Sequence, residues 1–347
     1  MTSFYLTGSI NVPDVDAAFS LVGADLQPAV LRVPDGEPGD RANWVLTQRA
    51  LFLENPTLDV VDGLARVKSG VAVRFGEVDY HSTAAASYKK FVQAREKGIL
   101  VPESRFLVSI PTPFNAVNSF VEFDSQVEVA LAYERALHAS VERLFSLIPA
   151  TDLAVQWDLP TELATVEGWF PNPYAGHEAI FAATARLASW VPDGAELTFH
   201  LCYGDSKFGA SPFMGDPPDA EAAARGGRHI LPRDASAIVT VANGLSRHVT
   251  RPIDAIHAAT VADWKRRAHW QPLQSLAVEP STEIFLGLLH AEDGAGGARE
   301  RASIASVFLP NFGISTECGL GRHSRAQLDA VVAAYRELAE SRELASA

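Results

Sequence analysis

Short apolar runs rich in β-branched and aromatic residues alternate with longer segments of helical periodicity along the whole chain. That alternation restricts the fold more than any other feature, because strands separated by helices are parallel and must share one sheet. Runs at 4–9, 71–75, 106–110, 153–158, 196–202, 237–242, 283–289 and 312–317 give eight strands, the number that closes a TIM-type (β/α)8 barrel. A ninth run, 29–33, competes for a place in the first unit. At 347 residues the chain fits one such α/β domain. An open doubly wound sheet is the alternative architecture.

The helices between the strands carry start signals. Asp40 precedes 41–53, Ser82 precedes 83–97, Asp124 or Ser125 precedes 126–147, and Asp254 precedes 255–267. Gly98 stands where a helix-ending glycine is expected. The segment 204–233, after the fifth strand, is dense in Gly, Pro and Asp. Connections between strand and helix usually take two to six residues, so this one reads as a lid-like insertion over the end of the barrel.

Composition removes two classes of partner. With 29 Lys and Arg against 42 Asp and Glu, the net charge of −13 opposes a phosphate backbone, and no basic run offsets it. Nucleic acid is therefore not expected. No apolar run reaches the roughly 18–20 residues that span a bilayer, and the first residues lack a basic stretch followed by an apolar one. The expectation is a soluble, cytoplasmic protein without membrane contact, in which cysteines stay reduced or bind metal.

The chain has two cysteines, and one of them sits in His200-Leu201-Cys202. Strand alternation puts His200 and Cys202 on one face at the end of the fifth strand, and Cys318 ends the eighth. In a β/α barrel these ends share a rim, together with Asp158 at the end of the fourth. Two thiolates and an imidazole are a good zinc set that leaves one position open. The alternative is that both cysteines and the histidine are ordinary buried residues. No nucleophile elbow, phosphate loop or His-Glu-x-x-His helix is present.

Phe199-His200-Leu201-Cys202-Tyr203 and Thr316-Glu317-Cys318-Gly319-Leu320 resemble the two zinc-binding segments of the C-terminal domain of cobalamin-independent methionine synthase. Gln156-Trp157-Asp158-Leu159-Pro160 resembles that family's Asp-Glu-Pro motif. The resemblance implies a β/α barrel with a zinc ion, Zn2+, held by His200, Cys202 and Cys318. It further implies a methyl- or alkyltransferase in which zinc holds a thiol substrate as thiolate for attack on an alkyl donor, with a corrinoid or folate as a donor partner. Asp158 becomes a catalytic, substrate-contacting carboxylate. Tyr203, Asp205, Asp35, Glu37 and Arg41 are further candidates for substrate contact, and His290 for proton transfer or ligation.

The pattern departs from that family in two places. Leu159 replaces the acidic second residue of the motif, and the expected sixth strand, 237–242, brings no glutamate ligand. Epoxyalkane:coenzyme M transferases, which the chain also resembles, use only a His-x-Cys and a distant Cys. The rival readings are a lyase of the uroporphyrinogen decarboxylase type, which needs no zinc, and a barrel that binds a small molecule without catalysis.

Overall fold

A computed structural model describes residues 3–204 and 232–340. Its strands in chain order are β1 (Phe4–Tyr5), β2 (Arg32–Pro34), β3 (Leu58–Val61), β4 (Leu64–Val67), β5 (Arg105–Pro111), β6 (Leu153–Asp158), β7 (Glu196–Leu201), β8 (Ala255–Ala259), β9 (Glu283–Leu289) and β10 (Gly313–Thr316). Eight of them form one parallel sheet in the order β1-β10-β9-β8-β7-β6-β5-β2. The two end strands meet through a parallel bridge between Ser9 and Gly36, and the Phe4 N–H donates to the Ala29 carbonyl at 2.9 Å. The sheet thus curls into a nearly closed (β/α)8 barrel, surrounded by helices as expected.

Alternation along the strands builds two cores. Val155 and Trp157, Leu197 and Phe199, and Ile256 and Ala258 face outward into the large core beneath the helices. Ala154 and Ala255 face inward with Tyr5, Leu107 and Phe285 as a separate apolar layer inside the barrel. Below that layer the barrel is closed by charge: Arg32 pairs with Glu196 at 2.5 Å and Glu283 at 2.7 Å, and Arg105 with Glu196 at 3.1 Å. Above it the interior is polar, with the Tyr5 hydroxyl donating to Gln156 at 2.8 Å and lying 3.0 Å from the Thr198 hydroxyl. The lining therefore changes from ionic to apolar to polar along the axis, and the polar end is the C-terminal rim.

The expected strand at 237–242 is part of the helix Ser236–His248, and the expected helix at 255–267 begins with the sixth barrel strand, β8. Asp254 does not cap a helix. Its carboxylate accepts the Leu197 N–H at 2.7 Å, while its own N–H and carbonyl pair with β7 and β9, which commits the following residues to the sheet. The expected second strand at 71–75 is likewise absent. Arg32–Pro34 takes that place, close to the competing run at 29–33, and residues 71–75 pack as irregular chain, with Phe75 against Phe52 and Tyr133.

The helix expected at 126–147 is found as Gln126–Leu147, and that at 83–97 as His81–Glu96. Gly98 ends the latter with φ of +68°, its N–H donating to Arg95. Residues 41–53 form a 3₁₀ segment, Gly39–Gln48, and a short α-helix, Arg49–Leu53. β3 and β4 are an antiparallel hairpin turned by Asp62 and Gly63, both at positive φ. Apart from Gly204, Pro232 and Arg233, the expected lid lies outside the described residues. Among the described residues no helix is long and apolar enough to cross a membrane.

Candidate metal centre

β7 delivers His200 to the interior, and Cys202 follows on the same side just beyond the strand. Cys318 arrives from a turn after β10, where the Thr316 hydroxyl donates to the Cys318 carbonyl at 2.8 Å. This turn is pinned to the chain after β1 by the Leu320 N–H donating to the Ser9 carbonyl at 2.6 Å. The approach is close: a Cβ on Gly319 would stand 2.4 Å from the Ser9 hydroxyl oxygen, which would have to rotate away. Cys318 Sγ lies 3.7 Å from His200 Nε2, and one ligand atom each from His200, Cys202 and Cys318 can be chosen so that all lie within 4.8 Å of one another. All three side chains are buried.

From β8, Ala259 packs against both cysteines with no accessible surface. The absence of a carboxylate from the sixth strand therefore holds at its true position, although 237–242 is not that strand. Burial pushes the Cys202 thiol well above its ordinary pKa, and the hydrogen bond and charge of Cys318 push it further. Two buried thiols cannot both ionise without a cation between them. A tetrahedral zinc ion with bonds of about 2.1–2.3 Å separates its ligand atoms by roughly 3.4–3.8 Å. The donor set fits such an ion after a small inward movement.

The Asp158 carboxylate is held by the Gln156 amide, which donates to Oδ1 at 2.8 Å and to the Thr7 carbonyl at 2.8 Å. In the paired strands Asp158 lies level with His200, and His200 with His257 of β8. His257 was not singled out from the sequence, where 255–267 reads as helix. Its Nδ1 sits 2.7 Å from His200 Nδ1, and its Nε2 is 2.8 Å from the Thr316 carbonyl.

Asp158, His200, Cys202 and Cys318 line one open pocket with Thr7, Ser9, Glu37 and Arg322. Glu37 also lines a neighbouring cleft that contains Asp35, Arg41 and Tyr80. Asp35 and Arg41 form a two-pronged ion pair at 2.7 and 2.8 Å, and Asp35 accepts the Glu37 N–H at 2.9 Å. Burial, reinforced by Asp35 and Asp158, raises the Glu37 carboxyl to about 8, against the pull of Arg41 and Arg322. Tyr203 turns to Glu167 at 3.1 Å, and His290 to Glu317 at 2.6 Å. Asp205 lies outside the described residues.

Fold and site together define a β/α barrel with a buried His-Cys-Cys group and a pocket lined by both carboxyl and guanidinium groups at its C-terminal rim. No protein-family model matches the chain, and no curated protein sequence matches it. Its fold is that of a B12-independent methionine synthase from Shewanella sp. W3-18-1 solved with selenomethionine, at 14% identity and a TM-score of 0.64 over 99% of each chain. A protein from Listeria monocytogenes, described as a candidate vitamin-B12-independent methionine synthase, is also similar, at 14% identity and a TM-score of 0.54 over 97% of each chain.

Proposed function

We propose that this chain is a zinc-dependent methyl- or alkyltransferase acting on a small thiol. The observation that carries the reading is the convergence of one imidazole nitrogen and two thiols within 4.8 Å at the rim where β/α barrels place their chemistry. The fold shared with methionine synthase-like proteins supports it.

When bound, zinc would keep the substrate sulfur as a nucleophilic thiolate at neutral pH, with His200, Cys202 and Cys318 holding the ion. With two thiolates and one neutral imidazole the centre carries no formal charge, which favours reaction at sulfur over Lewis-acid hydrolysis. Asp158 and Glu37 line the pocket with carboxyl groups and Arg322 adds a guanidinium, so a zwitterionic thiol suits it. Asp158, fixed by Gln156, orients the cationic part of that substrate, and Glu37, largely protonated at neutral pH, donates a hydrogen bond. Asp35 and Arg41 set the backbone of Glu37. Ala259 presents no competing ligand, so the substrate sulfur need displace no protein group.

Purified protein should contain about one zinc per chain, lost in His200→Ala, Cys202→Ala and Cys318→Ala variants. Adding the substrate thiol should change the zinc X-ray absorption spectrum from two sulfur neighbours to three. A well-folded, metal-free protein that methylates a thiol at full rate would sink the proposal.

A further inference from the structure

The geometry points to His257 as a positioning residue that fixes the tautomer of His200 and aims its Nε2 lone pair at the metal. This inference rests on the zinc reading above. It begins with proton bookkeeping among three groups. The Thr316 carbonyl can only accept, so His257 Nε2, at 2.8 Å, must carry a proton. A neutral His257 then has an unprotonated Nδ1, which faces His200 Nδ1 at 2.7 Å. That short contact needs one proton between the nitrogens, and His200 supplies it. His200 Nε2 is left without a proton on the side facing Cys318, 3.7 Å away.

The surroundings hold this arrangement in place. His200 and His257 are paired in register on adjacent strands and are 3% and 0% exposed, so neither ring can turn to water. Their ring centroids are 4.6 Å apart, and Tyr5 lies 6.0 Å from His257 with the ring planes 19° apart. Tyr5 is itself fixed by Gln156 and Thr198. The Thr316 carbonyl belongs to the strand whose following turn carries Cys318. One chain of hydrogen bonds therefore joins two of the three ligand-bearing segments through a residue that touches no metal. Outer partners of this kind commonly change metal affinity by 10–100-fold.

The test uses the whole chain. In metal-free protein with 15N-labelled histidine, NMR should show His200 protonated at Nδ1 and bare at Nε2. Zinc affinity, measured by chelator competition, should fall 10–100-fold in His257→Leu at unchanged stoichiometry. His257→Gln, whose amide oxygen can accept the same proton, should recover most of that loss. An Nε2-protonated His200 in the wild type, or wild-type zinc affinity in His257→Leu, overturns the inference. The NMR result needs no variant to fold and no zinc to bind. A protein that fails to take up zinc but shows the Nδ1 tautomer therefore counts against the metal assignment and for the relay.

Discussion

Glu37 has φ of +44°, in the region that side-chain-bearing residues rarely occupy, and points a carboxyl raised to about 8 between two clefts. The folded chain holds on this carboxyl a proton that the unfolded chain releases near its ordinary 4.5. Stability linked to that proton is fully present below pH 4.5 and is lost as pH rises through about 8. Glu37→Gln carries no charge at any pH, so urea titrations from pH 5 to 9 should show a shallower loss than the wild type. An identical slope would mean that the carboxyl is solvated. Single residues were also where sequence reading served best. Cysteine is scarce and its parity with His200 is fixed by the strand, so the grouping of His200, Cys202 and Cys318 was legible. His257 was not, because its role depends on which segment lies beside β7, and no local pattern states that.

The rim is organised by helices that begin directly after strands. Pro113 opens Pro113–Phe120 behind Thr112, and Pro160 opens Pro160–Val166 behind β6. Asn115 ties the two together: its amide donates to the Asp158 carbonyl at 2.7 Å, and its carbonyl oxygen accepts the Thr161 N–H at 3.0 Å. Asn115→Ala should cost about 2–4 kcal/mol, since two buried backbone groups lose partners, and should weaken substrate binding by loosening Asp158. Equilibrium unfolding and KM measured together would check both parts. The same scale explains the exchanged elements. Residues 237–242 are a short β-branched run, but apolar positions continue at helical spacing to Leu245, and only the longer window reveals the helix. Ala255–Ala259 is rich in a helix-favouring residue, and its strand state comes from neighbours on both sides.

At the scale of the molecule, β2 contributes few residues yet closes one side of the barrel, and Arg32 anchors it across to β7 and β9. Arg32→Met should cost about 1–2 kcal/mol, because the largely buried Glu196 would keep only Arg105 as a partner while Glu283 turns to solvent. Removing the solvent-screened Lys90–Asp16 pair should cost much less; thermal unfolding of both variants would rank them. The eightfold count and parallel direction of the barrel strands were legible from alternation alone, whereas the identities of the second and sixth were not. The three residues of β2 are held by a distant ion pair, so the run at 29–33 that overlaps them could be seen but not ranked above the run at 71–75. The level pairing of Asp158, His200 and His257 across β6, β7 and β8 has one more consequence, for assembly fidelity. If β8 slipped by one residue, Ile256 or Ala258 would enter the barrel and His257 would be driven into the apolar helix layer. A misregistered barrel would therefore bury an unsatisfied imidazole, and the chain that misfolds in this way would lose the grouping around His200 and its folded stability at the same step.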